Sequence, residues 1–176
     1  AFFTGDLNDQ IIASGFAGRA LELPFVGLYG ACSTFVEGLV LASGLIAGGF
    51  LENALCAASS HFCTAERQFR LPLEMGTQRT PSAQWTATAA GCALLRYSDE
   101  KNRLRVTAGT LGKVVDYEIK DANHMGAAMA PAVESTIRAH LSDTGRTAGD
   151  FDLIVTGDLG WIGREILLEL FSRSGK

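Results

Sequence analysis

PFVGLYGACSTFVEG, Pro24 to Gly38, is the stretch on which the fold of this chain turns. Its first six residues are apolar on nearly every position, as suits a strand covered on both faces. Gly30 then allows a tight turn. From Ser33 to Gly49 the chain is apolar almost all round, which predicts a helix buried on every side. A strand feeding such a helix through Gly-Ala-Cys sets Cys32 at a helix N-terminus, where unpaired N–H groups and the macrodipole stabilise a thiolate. A nucleophilic cysteine would be mounted this way. The plainer alternative is a small buried residue at a strand–helix junction, with Ser33 or Thr34 as the cap.

The same alternation extends outward. Strand-like apolar runs recur at Ala54–Ser59, Thr86–Ser98, Arg103–Gly112 and Phe151–Asp158. Helix-like segments lie at Asn8–Leu21, Ala127–Leu141 and Gly160–Ser172. Strands alternating with helices predict an α/β sandwich. Ser98–Arg103 reads as a hairpin turn and Ser142–Asp150 as a helix-to-strand loop. The stretch from His61 to Trp85 breaks the rhythm. It carries two prolines and the densest arginine set, and it reads as a long loop of the kind that is functional or mobile.

The composition narrows the function. Apolar residues make up 47% of the 176 residues and charged residues 19%, which is globular. A net charge of −4 without a basic stripe argues against nucleic acid. AFFTGDLNDQ has no basic n-region, so no signal peptide is read. Phe35–Phe50, the longest apolar run, is broken by Glu37 and four glycines and suits a core helix better than a membrane span. Cys32, Cys56, Cys63 and Cys92 lack metal-like spacing, and a reduced, intracellular setting is expected. P-loop, GxGxxG, HExxH and GxSxG motifs are all missing.

A second constellation follows the second predicted strand, in SSHFCTAERQFR. His61 could orient a ligand or act as a base. Arg67 and Arg70 could grip a carboxylate bidentately. The competing reading is a structural ion pair between Glu66 and an arginine, with His61 inert. His140 sits near a helix end, where an imidazolium favours the dipole. His124 precedes small residues suited to close packing. TGDL occurs twice, at Thr4–Leu7 and Thr156–Leu159, each time after an apolar run and before a helix-like segment.

These residues carry a resemblance. The order of strand, GACST, buried helix, strand and SSH looks like the thiolase fold. GDL, PFVGLYGACSTFVEG, GGF, SSHFCTAERQFRLPLEMG, GKVVD, HMGAAMAP and FDLIVTGDL closely resemble the stage V sporulation protein AD family over essentially the whole chain. The resemblance implies a layered αβαβα sandwich of two duplicated halves. Residues 1–112 would be the remainder of the first half and residues 113–176 the beginning of the second, so an incomplete copy is expected. The two TGDL segments would end equivalent strands. Catalytic relatives of the thiolase fold carry a histidine at or beside the second copy, where this chain has Gly157 and Asp158.

The resemblance therefore implies a non-catalytic protein that binds dipicolinic acid and supports its uptake into the developing spore, with no cofactor. The acid could travel as its calcium chelate. Asp6, Cys32, Ser33, His61, Glu66, Arg67 and Arg70 are the candidate ligand-binding residues. Helix N–H groups and arginines would hold the carboxylates. The implied partners are membrane-protein subunits of the same transport system, which would place the protein peripherally at the spore inner membrane. A homodimer is the further partner that the thiolase fold implies. Two alternatives remain beside this reading. One is a condensing or acyl-transfer enzyme using Cys32, with His61 as base. The other is a scaffold that docks the membrane subunits.

Overall fold

The computed structural model describes residues 1–70, 76 and 78–173. The chain divides into two compact units, one of residues 1–68 and 86–107, the other of residues 69–85 and 108–176.

The first unit is a mixed sheet with helices. Its elements are β1 (Phe2–Asp6), α1 (Ile12–Leu21), β2 (Phe25–Gly27), α2 (Thr34–Ala47), β3 (Asn53–Ser60), α3 (Phe62–Phe69, its last residue in the other unit) and β4 (Ala89–Arg96). The strand order is β2-β1-β3-β4. β1 runs parallel to both β2 and β3, and β4 runs antiparallel to β3. The chain steps from β1 through α1 to β2, then returns past β1 through α2 to β3. Two such crossovers in opposite directions put their helices on opposite faces of the sheet.

The side-chain period of two shows the same division. Phe3 and its ladder partner Cys56 face α2, where a Cβ on Gly38 would stand 3.6 Å from Cys56 and 3.1 Å from Leu28. Thr4 faces the other way, and its hydroxyl bonds Ser14 of α1 at 3.3 Å. The core gathers Phe3, Leu28, Ala42, Ala54 and Cys56.

Two expectations change here. α2 is not buried all round. Thr34, Gly38 and Ala42 form its buried stripe, while Val36 is 60% exposed. Only the sheet side covers this helix among the described residues. The expected loop at His61–Trp85 begins instead as α3, whose Ala65 and Glu66 are buried on one face. Residues 71–75 and 77 of that stretch lie outside the described residues.

The second unit contains α4 (Met125–Thr144) and α5 (Gly160–Arg173). They cross at two glycines. A Cβ on Gly126 would stand 2.3 Å from the Leu159 carbonyl oxygen and 2.9 Å from the Gly163 Cα. The small residues of HMGAAMAP are therefore close-packing residues, as expected. His124 caps α4, accepting the Ala127 N–H on Nδ1 at 3.2 Å. His140 Nδ1 pairs with the Thr110 hydroxyl at 2.9 Å. Gly145, in the left-handed region at φ 64°, ends α4.

Neither Arg103–Gly112 nor Phe151–Asp158 forms a strand, and Ser98–Arg103 is a turn without a hairpin. A strand is defined by its ladder, and neither apolar run finds one among the described residues. Leu104, Leu153 and Val155 consequently stand exposed. The α/β class holds, with one four-stranded mixed sheet and five α-helices among the described residues.

Candidate functional site

The carboxyl ends of β1, β2 and β3 lie side by side, the edge at which open parallel sheets bind ligands. The loop after β1 organises this edge. Asp6 Oδ1 accepts the N–H groups of Asn8 at 3.0 Å and Gln10 at 3.1 Å, and Oδ2 accepts that of Ile11 at 2.6 Å. Asp6 thus folds the loop leading into α1, whose own N-cap, Ile11, makes no side-chain cap. The neighbouring Asn8 amide donates to Gln68 Oε1 of α3 at 2.7 Å. Asp9 Oδ1 accepts the Ala31 N–H at 2.9 Å.

That last bond holds the turn before α2. Ala31 has φ 45°, a left-handed conformation that an alanine adopts only under constraint. Asp9 and Ile11 are left-handed as well, at 56° and 58°. Residues Ala31–Ser33 form a single 3-10 turn, on which Cys32 and Ser33 are exposed. The Ser33 hydroxyl donates to the Gly30 carbonyl at 2.8 Å, so it closes the turn and does not cap the helix. Glu37 lies over the turn: a Cβ on Gly30 would stand 2.4 Å from Glu37 Oε2. A side chain at position 30 would displace the Glu37 carboxylate and the Ser33 hydroxyl.

The candidate residues separate. Asp6, Cys32, Ser33 and His61 stand at the carboxyl edge, His61 exposed directly after β3. Glu66 is 1% exposed, and its Oε1 accepts from the Thr86 hydroxyl at 2.8 Å and the Thr86 N–H at 3.2 Å. It ties α3 to the segment leading into β4. Arg67 lies on the exposed side of α3. Arg70 belongs to the second unit, where its guanidinium donates to the Gln84 carbonyl.

Asp9 escaped the sequence reading, and Glu37 entered it only as a break in an apolar run. An Asn-Asp pair after a strand is a turn signal that could have pointed to Asp9. Thr34, read as a possible cap, is instead the fully buried first residue of α2.

All four cysteines are outside disulfides. Cys56 is fully buried with its Sγ 3.3 Å from the Gly38 carbonyl, and burial pushes its thiol above the ordinary range. No group of three or more His, Cys, Asp or Glu among the described residues is placed to hold a metal ion. A cavity of about 410 Å3 in the first unit touches none of the candidates; it is lined by Ser43, Ile46, Leu94 and Leu104 towards the far end of α2. No helix of the described residues is long and apolar enough to cross a membrane.

The family model for stage V sporulation protein AD matches residues 1–176. The chain belongs to the stage V sporulation protein AD family. Stage V sporulation protein AD of Bacillus subtilis (strain 168) is 44% identical over 171 residues, which are 97% of this chain and 50% of that protein. The chain spans about half the length of this family relative. Sporulation, the process in the family's name, is the setting in which the carboxyl edge is best considered.

Proposed function

We propose that this member of the stage V sporulation protein AD family binds dipicolinic acid at the carboxyl edge of β1–β3 and supports the acid's uptake into the developing spore. The observation that carries the reading is the turn before α2. Asp9 holds Ala31 in a strained conformation immediately before the exposed Cys32, which fixes this part of the edge in place before any ligand arrives. Cys32, Ser33 and His61 line that edge, and Arg67 supplies a guanidinium for a ligand carboxylate. Asp6 and Glu66 act behind them by holding the backbone. The protein works by binding, without a chemical step, and hands its ligand to membrane-protein subunits.

Calorimetric titration of the intact protein with dipicolinate tests this. Saturable heat supports it, and an absence of binding with and without calcium refutes it. Arg67→Ala should weaken binding about tenfold, the scale of one charge-assisted hydrogen bond.

The exposure of Cys32 favours one second reading, an acyl transferase with Cys32 as nucleophile. Incubation with an acyl-CoA followed by mass spectrometry separates the two. Rapid acylation of Cys32 that Cys32→Ser abolishes would replace the binding reading.

A further inference from the structure

The groups assigned to the ligand edge stand on two separate mounts. Cys32 and Ser33 belong to the turn before α2. His61 follows β3 directly, and Arg67 lies on α3. α3 is fixed from one side by the segment leading into β4: the Phe62 N–H donates to the Thr88 hydroxyl at 2.9 Å, and Glu66 accepts from Thr86. Thr64 and Gln68, one turn apart on the same helix, are met by a single side chain of the loop after β1. The Asn8 amide donates to Gln68 Oε1 at 2.7 Å and reaches the Thr64 carbonyl at 3.4 Å. A carbonyl only accepts, so the nitrogen of this amide is the atom turned towards α3.

The next residue reaches the other mount. Asp9 Oδ1 accepts the Ala31 N–H at 2.9 Å. The backbone between the two side chains is bent and tightly held. Asp9 is left-handed at φ 56°. Every N–H from Leu7 to Ile11 is bonded: Leu7 to the Ser59 carbonyl at 3.0 Å, Asp9 to the Asp6 carbonyl at 3.1 Å, and Asn8, Gln10 and Ile11 to the Asp6 carboxylate. A backbone tied at each residue has little freedom, so a displacement of side chain 8 is felt at side chain 9.

We propose that Asn8 is a positioning residue: together with Asp9 it clamps α3 to the Cys32 turn and sets the spacing of the two sides of the ligand edge. The inference rests on the dipicolinic acid reading only for the purpose that the clamp serves. A rigid diacid presents its carboxylates at one fixed separation. Mounts already held at a matching distance avoid the cost of being ordered when it binds.

Gln68 is exposed, so truncating it opens the α3 arm while leaving the core and the loop backbone intact. Hydrogen-exchange mass spectrometry of the intact protein reads the turn in a peptide covering residues 28–35, with residues 38–46 of α2 as the reference. In Gln68→Ala and in Asn8→Ala the turn should exchange about fivefold faster, the scale of one neutral hydrogen bond, with the α2 peptide unchanged. Gln68→Glu keeps an acceptor for the Asn8 amide and should restore the wild-type rate. In calorimetric titrations, dipicolinate should bind Gln68→Ala about threefold to fivefold more weakly than the wild type.

Each result is decisive. An unchanged turn in Gln68→Ala overturns the clamp. So does faster exchange in the turn and in α2 alike, which is general loosening, and so does a Gln68→Glu variant that behaves as Gln68→Ala does. Selective loosening of the turn without any dipicolinate binding to the wild type supports the clamp and removes the binding reading. Selective loosening with equal dipicolinate affinity in wild type and Gln68→Ala overturns the positioning role and leaves the function standing.

Discussion

Gly5→Ala and Gly157→Ala change the same residue in the two copies of TGDL, and they should behave very differently. A Cβ on Gly5 would stand 2.3 Å from the Leu28 carbonyl oxygen and 2.9 Å from the Thr34 methyl. The first neighbour is backbone, and it sits in the ladder, because the Leu28 N–H bonds the Thr4 carbonyl at 2.9 Å. No rotamer change relieves that clash, so β1, β2 and the start of α2 must part by several tenths of an ångström. Overpacking of this kind costs about 1–3 kcal/mol, and a backbone neighbour puts Gly5→Ala at the upper end. For a unit of this size each kcal/mol lowers the melting temperature by roughly 4–8 °C, so a fall of about 10–20 °C is expected. A Cβ on Gly157 would meet nothing within 4 Å, and Gly157→Ala should stay within about 0.5 kcal/mol of wild type. Thermal melts of the 176-residue chain, followed by circular dichroism, give both numbers. Equal melting temperatures for the two variants would refute the packing argument.

The same geometry sets three further outcomes. Asp9→Ala removes the acceptor that holds Ala31 at φ 45° and should lower stability by about 1 kcal/mol in urea melts, while Asp9→Asn, which keeps an oxygen, should cost less than half as much. Iodoacetamide at pH 8 should label Cys32, Cys63 and Cys92 in the folded chain and spare the fully buried Cys56; peptide mapping reads the pattern, and early labelling of Cys56 would contradict it. Asp150 accepts the Thr147 N–H at 2.7 Å and then its hydroxyl at 2.9 Å, and these bonds hold its carboxyl below the ordinary range. A depressed native pKa contributes stability above the unfolded value of about 3.9 that is lost as pH falls through the native one. The melting difference between wild type and Asp150→Asn should therefore be present at pH 6 and shrink below pH 4; a difference that is constant with pH would refute the assignment.

The sequence was most legible where structure is decided locally. Strand, turn and helix from Pro24 to Ala47 could be read because an apolar run, a glycine and a second periodicity succeed one another within a few residues. Arg103–Gly112 and Phe151–Asp158 have the same strand-like composition, yet no ladder partner reaches them among the described residues, and composition alone cannot supply one. α3 was missed because Phe62–Phe69 is a short amphipathic helix leading into a proline-bearing stretch. The TGDL repeat is instructive in another way. Asp6 accepts three N–H groups of the loop into α1, and Asp158 Oδ1 accepts the Gly160 N–H at 2.8 Å where α5 begins. Both aspartates end an apolar run and satisfy the backbone N–H groups at the entry to the next helix. That shared need is enough to place the same four residues at both points, whatever the relation between the two halves. It also gives Asp6 a role in holding the loop, with three of its acceptor sites committed to backbone N–H groups.

The larger change concerns the donors of the site. Read as sequence, GACST before a buried helix is an anion site: unpaired N–H groups, a favourable dipole and hydroxyls nearby. The folded chain spends three of those donors within its own turn, the Ala31 N–H on Asp9, the Ser33 N–H on the Gly30 carbonyl and the Thr34 N–H on the Ala31 carbonyl, so under the binding reading more of a carboxylate's recognition would fall to side chains. Arg67 on α3 is the candidate for a carboxylate. His61, exposed directly after β3, is the candidate for a second polar contact. If Arg67 and His61 act on different ends of one ligand and touch no common group, their effects on dipicolinate binding should add, with the loss in an Arg67→Ala, His61→Ala double variant matching the sum of the two single losses within about 0.5 kcal/mol. A coupling of about 1 kcal/mol or more would mean that the two side chains share one ligand group, and the assignment of separate contacts would fail.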